Sequence, residues 1–119
     1  MWPNEWGTRP YESGYGDRVV RIDWAPGSVF SPPTSWFHQH FNTGSEPALQ
    51  LALRCGSQKF PLGIRVAAIR AGVYTSVKQG GTLIEYTDED PAIRRAYPAE
   101  LANKGIEPDM NYAAAANDD

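Results

Sequence analysis

The chain has 119 residues and a formal charge of −3, from 14 acidic and 11 basic side chains. This length fits one small domain, and no apolar run approaches the roughly 18 residues of a membrane-spanning helix. The slight acidity argues against nucleic-acid binding, because neutralising phosphates requires clustered Lys and Arg. One cysteine, Cys55, excludes an internal disulfide and fits a reducing compartment, so we expect a cytoplasmic protein. The first residues lack the basic start and apolar stretch of a secretory signal.

Composition favours a turn-rich, all-β architecture. The 10 Pro and 11 Gly demand many turns, which makes a bundle of long helices improbable on physical grounds. Leu, Ile, Val and Phe number only 22, but four Trp, six Tyr and a small net charge argue against disorder.

Patterning along the chain predicts four regions. We expect an irregular N-terminal arm over residues 1–16, a β-domain over 17–90, a helical segment over 91–105 and a flexible tail over 106–119. Within the β-domain, β-branched runs and alternation separated by Gly and Pro turns predict short antiparallel strands. These strands cover residues 18–24, 28–31, 36–43, 48–55 and 82–86, and residues 64–69 and 73–77 are candidates for a strand or a loop.

Leucines define the clearest alternation, in residues 48–55. Leu49, Leu51 and Leu53 fall on one side of an extended chain, and small or polar residues fall on the other. A period of two residues is typical of a half-buried strand.

Helix signals begin at Asp90, a good capping residue, followed by Pro91 at the first helical position, where its missing N–H is harmless. Gly105 can end the helix. Because Pro98 lies inside this stretch, we expect it to kink the helix or to split it into two.

Both histidines of the chain, His38 and His40, lie two residues apart. On a strand they share one face with Trp36 and Asn42, which makes these four residues a candidate pocket. Two such imidazoles can bind one metal ion, although a catalytic site needs at least one more ligand. Alternatively, the two histidines are hydrogen-bonded residues on the inner face of a sheet and bind no metal.

The spacing around the pair resembles the second conserved motif of the cupin superfamily. Gly27, Pro33, His38 and Asn42 match that motif, whereas Ser35 stands where the motif has Gly. The similarity covers roughly residues 17–105 and is most specific over 24–47. It implies that His38 is a metal ligand, that Asn42 bonds backbone at the strand end, and that His40 is a ligand, an acid/base or a hydrogen-bond donor.

The first cupin motif, which usually supplies three of four ligands, is missing, because no His precedes Gly27. The chain therefore resembles the C-terminal half of a cupin. We expect an all-β, cupin-like barrel or sandwich that is partial and completed by association, with a C-terminal helical segment. An open sheet edge and an exposed inner face favour a homodimer, or a heteromer with a chain supplying the first motif.

The resemblance implies a cupin-type metal-binding protein, part of a non-haem metal enzyme of the oxygenase (dioxygenase), decarboxylase or isomerase class. The metal would be Fe, Mn, Ni or Zn, bound by His38 and His40, and the substrate a small carboxylate or phenolic compound. The alternative is a non-catalytic cupin subunit or small-molecule binding module that lacks a complete metal site.

Overall fold

The computed structural model describes residues 1–53 and 75–108. The chain divides into two compact units. One comprises Met1–Ser45 together with the chain from Tyr86 onward, and the other comprises Glu46–Glu85. Each unit is described by itself.

A short antiparallel sheet ties the N-terminal arm to the histidine-bearing segment. Strand β1, Trp2–Pro3, pairs with strand β2, Trp36–Phe37, so that Trp2 lies opposite Phe37. The Trp2 side chain is 4% exposed, its ring centroid lies 5.8 Å from that of Phe37, and its indole N–H donates to the Gly7 carbonyl at 2.8 Å. The arm is thus part of the packed unit, because its tryptophan is both buried and hydrogen-bonded.

The all-β barrel is wrong for the described part of the chain. Residues 1–53 and 75–108 contain this two-stranded sheet and one isolated parallel bridge, between Ser76 and Leu83. Of the predicted strand 36–43, only Trp36–Phe37 is paired. The predicted strands 18–24, 28–31 and 82–86, and the described part of 48–55, form no ladder. Residues 54–74, which include the candidate strand 64–69 and the first two residues of 73–77, lie outside the described residues, as does the tail from 109.

The physical reason is that a strand exists only beside a neighbour that completes its backbone hydrogen bonds. β-branched residues and alternation indicate that a segment suits one face of a sheet, but they do not provide the neighbouring strand. Pro26, Pro32, Pro33 and Pro47 also remove backbone donors close to the predicted strands. Single 3₁₀ turns stand at Asn4–Trp6, Gly16–Arg18, Val77–Gln79 and Tyr86–Asp88.

Helix α1 spans Pro91–Asn103 and confirms the predicted helix. The Asp90 carboxylate caps it by accepting from the Ala92 N–H at 2.8 Å, and Pro91 occupies the first turn. At the other end Gly105 takes a φ of +68°, and its N–H donates to the Ala102 carbonyl. The helix continues through Pro98, so the expected division into two helices is wrong. Pro98 removes one intrahelical donor, and the capped ends hold the turns on either side.

Asp90 also joins helix α1 to the arm. Its side chain is fully buried, and its Oδ2 accepts from the Tyr11 N–H at 2.7 Å and from the Glu12 N–H at 3.2 Å. The Arg9 guanidinium adds bonds to the Asp88 and Thr87 carbonyls. Three backbone donors around one carboxylate satisfy a buried charge that would otherwise be costly. This junction connects residues that are 79 positions apart in sequence.

Apolar burial in the described residues is small and centred on the same unit. Trp2 and Leu101 are its buried hydrophobic side chains, and Leu101 is 2% exposed. No helix in the described part of the chain has the length and hydropathy that crossing a membrane requires.

Candidate metal centre

The segment that carries the two histidines leaves β2 at Phe37 and runs on without a strand partner. Upstream, a turn at residues 25–28 reverses the chain. The Ser28 N–H donates to the Ala25 carbonyl at 2.9 Å, and the Ser28 hydroxyl accepts from the Ala25 N–H at 2.9 Å. Gly27 makes this turn possible, because its φ of +87° is in the left-handed region.

The structure brings the two imidazoles together, as the alternation predicts. The ring centroids of His38 and His40 lie 5.6 Å apart, with the ring planes at 75°. With metal–nitrogen bonds of about 2.1 Å, two imidazoles on one tetrahedral ion have centroids about 5 Å apart. The observed separation of 5.6 Å is close to this value, so the spacing of the two rings is compatible with one shared ion.

An aromatic wall flanks His40 on one side. The Trp24 and Phe30 rings meet edge to face at 5.4 Å, and the His40 ring lies 5.6 Å from Trp24 and 5.7 Å from Phe30. Burial by this wall, and then the charge of neighbouring His38, lower the pKa of His40 from its ordinary value of 6.5. The neutral form, in which one ring nitrogen keeps its lone pair, is therefore favoured.

Both imidazoles are exposed to solvent. The expected delivery of His38 into the interior of a barrel is therefore wrong, since the described residues form no barrel around it. An open position of this kind leaves the rings accessible to an ion, a small molecule or another chain.

Trp36 and Asn42, the other members of the predicted pocket, have different surroundings. Trp36 is half-buried in β2 opposite Pro3. Asn42 bonds backbone, as the motif implies, because its Oδ1 accepts from the Gly44 N–H at 3.0 Å. The Asn42 carbonyl accepts from the Tyr97 hydroxyl at 3.2 Å, which connects this end of the segment to helix α1.

Sequence reasoning missed the aromatic wall. Trp24 and Phe30 belong to the motif-bearing stretch, but their side chains were not assigned to the site. Their position on either side of the turn at residues 25–28 is the signal that could have found them, because a tight turn brings its flanking residues together.

Whether a metal ion fits this site depends on the side chains that could be its ligands. His38 and His40 fit as two nitrogen ligands for Fe, Mn, Ni or Zn. Among residues 1–53 and 75–108, no group of three or more His, Cys, Asp or Glu side chains could hold a metal. The described chain thus provides two ligands, and the further ligands of such an ion would come from outside this set.

Comparison with protein-family models, with curated proteins and with solved structures gives no match.

Proposed function

We propose that the chain binds a divalent metal ion, Fe, Mn, Ni or Zn, through His38 and His40. The observation that carries the proposal is the 5.6 Å separation of two exposed imidazole rings. Surface histidines this close can chelate an ion, because imidazole nitrogen is a good ligand for all four metals. The pair would supply two ligands of the ion, and its further ligands would come from a second chain or a small molecule.

The wall of Trp24 and Phe30 indicates the kind of small molecule that suits this position. It offers apolar ring surface within 6 Å of the His40 centroid. A small carboxylate or phenolic compound combines a ring or alkyl body for that surface with an oxygen for the metal. When bound, the metal supplies a Lewis acid for that oxygen. His38 and His40 would hold the ion, and the aromatic wall would shield the His40 side of the site from water.

A non-catalytic binding module is the second candidate function. It is favoured by one observation, namely that the described residues contain no cluster of three potential metal ligands. In this reading Trp24, Phe30 and His40 bind a ligand by ring contacts and hydrogen bonding, without a metal.

Calorimetric titration with Zn²⁺, Ni²⁺ and Mn²⁺, and with Fe²⁺ under anaerobic conditions, tests the proposal. The titration uses a Cys55→Ser background, so that the thiol cannot act as a ligand. We expect stoichiometric binding that weakens at least tenfold in His38→Ala and in His40→Ala, about 1.4 kcal/mol for each lost ligand. Gln39→Ala is the matched control, because it removes a polar side chain between the two histidines and leaves both rings in place.

Binding that survives the double His38→Ala/His40→Ala change would show that the metal ligands lie elsewhere and would contradict the proposal. Absence of metal binding, together with binding of a phenolic compound that is lost in Trp24→Ala, would establish the second candidate.

A further inference from the structure

Three leucines at alternate positions are almost completely exposed. We name residues 48–53 the leucine segment. Leu49 is 96% exposed, and Leu51 and Leu53 are each 89% exposed. The segment belongs to the unit Glu46–Glu85 and is separate in sequence from the His pair. Scattered exposed apolar residues are ordinary on protein surfaces, but alternate positions of an extended chain fall on one side, where these three leucines would form a patch.

The backbone of the segment is also without a neighbouring strand, since residues 48–53 take part in no ladder or bridge. A backbone outside any ladder and an apolar pattern with a period of two are two properties of a segment that can accept another strand. Alternation with Ala48, Gln50 and Ala52 keeps the opposite side small and uncharged.

We propose that the leucine segment pairs antiparallel with the same segment of a second copy of this chain. Pairing is centred on Leu51, so that Leu51 faces its own counterpart and Leu49 faces Leu53. All six leucines then lie on one side of the two-stranded ladder and cover one another.

Opposite charges at the two ends of the segment favour a second copy of this chain as the partner. Residues 47–53 carry no charge, so two copies of a chain with net charge −3 meet without repulsion along the ladder. The sequence places an acid, Glu46, before the segment and a base, Arg54, after it. In an antiparallel pair each end of one segment meets the other end of its partner, so opposite charges come together diagonally at both ends.

The interface predicted in this way is short, and a two-stranded ladder by itself is only marginally stable. Assembly should therefore depend on concentration. The inference does not use the His pair, so the two proposals can fail independently.

Sedimentation velocity of the full chain over a hundredfold concentration range tests the dimer. We expect a reversible monomer–dimer equilibrium whose dissociation constant rises at least tenfold in Leu51→Asp, because that change places two carboxylates opposite each other on the axis. Gln50→Asp is the matched control. It adds the same charge on the other side of the ladder, opposite Ala52, and we expect less than a threefold change.

Cysteine cross-linking tests the alignment. In a Cys55→Ser background under mild oxidation, Leu51→Cys should form a disulfide-linked dimer, because this position faces itself and cross-strand β-carbons approach disulfide range. Leu49→Cys faces Leu53 and should cross-link at least fivefold more slowly.

A chain that remains monomeric at all concentrations would overturn the proposal. So would a dimer that Leu51→Asp does not weaken, or equal cross-linking at positions 49 and 51. Assembly only with a different protein would also overturn it, by assigning the leucine segment to another partner.

Discussion

Helix α1 and the leucine segment both carry a clear apolar pattern, but their leucines differ in exposure to solvent. Leu101 on α1 is 2% exposed, whereas Leu51 in the leucine segment is 89% exposed. A helix closes its backbone hydrogen bonds within its own turns, and here Asp90 caps the first of them. A strand needs bonds from another strand, and the leucine segment has no ladder.

Leucine is therefore part of the packed interior in helix α1, whereas in the leucine segment it is available for association. Burial, and not hydrophobicity alone, decides how much free energy a leucine contributes to folding. The following predictions test this difference, beginning with the largest effect.

Leu101→Ala should lower the free energy of unfolding by about 3 kcal/mol, because it removes buried methyl groups and leaves a cavity. Leu51→Ala, at a concentration where the protein is monomeric, should change it by less than about 0.5 kcal/mol. Urea denaturation followed by tryptophan fluorescence measures both. Similar losses for the two variants would remove the distinction between the regions.

Asp90→Ala should cost roughly 2 kcal/mol of unfolding free energy, because it leaves the Tyr11, Glu12 and Ala92 amides without their common acceptor. Asp90→Asn should cost less, since its side-chain oxygen can still accept from some of them. Hydrogen exchange of the Tyr11 amide should accelerate in both variants, which reports the junction directly.

Glu5→Ala is the control for this series. It removes an exposed carboxylate in the arm, so its effect should stay within about 0.5 kcal/mol. An Asp90→Ala protein whose Tyr11 amide exchanges at the original rate would show that the carboxylate does not hold the arm to the helix.

The smallest effect concerns His40, which lies in sequence between the arm and the leucine segment. Its pKa is lowered by burial and by His38, so it should titrate below 6.5 in the folded chain. The unfolded chain then takes up the proton more readily. The contribution of His40 to the free energy of unfolding is therefore complete above about pH 6.5. It is lost as the pH falls through the lower pKa that His40 has in the folded chain.

Proton NMR of the imidazole ring measures this titration, with His38→Gln and His40→Gln used to assign the signals. Because the ring is exposed, the accompanying loss of stability should be small. A midpoint for His40 at or above 6.5 would contradict the role of the aromatic wall.

Local signals predicted the helix well. Asp90, Pro91 and Gly105 fix the ends of α1 through interactions within one or two turns, and such signals are readable from neighbouring residues. The proximity of His38 and His40 was also predictable, because alternation in an extended chain places residues two apart on one side.

Long-range pairing was not predictable in the same way. The leucine alternation predicted a half-buried strand, yet the covering partner that such a pattern requires is not a property of those residues. Conversely, β1, Trp2–Pro3, lies in the arm that was expected to be irregular, and nothing in its sequence indicates that it pairs with Trp36–Phe37. The Asp90 carboxylate also accepts from the Tyr11 N–H, 79 positions away, and the residues that predict a helix cap at Asp90 do not indicate this bond.

The Asp90 junction makes the unit to which it belongs discontinuous in sequence. The chain leaves this unit after Ser45 and rejoins it at Tyr86. The entropy of closing such an excursion grows only with the logarithm of its length, roughly 0.6 kcal/mol for each doubling. Residues 46–85 therefore connect two chain ends that belong to the same unit, and we expect that lengthening this stretch lowers the free energy of unfolding of that unit only slightly.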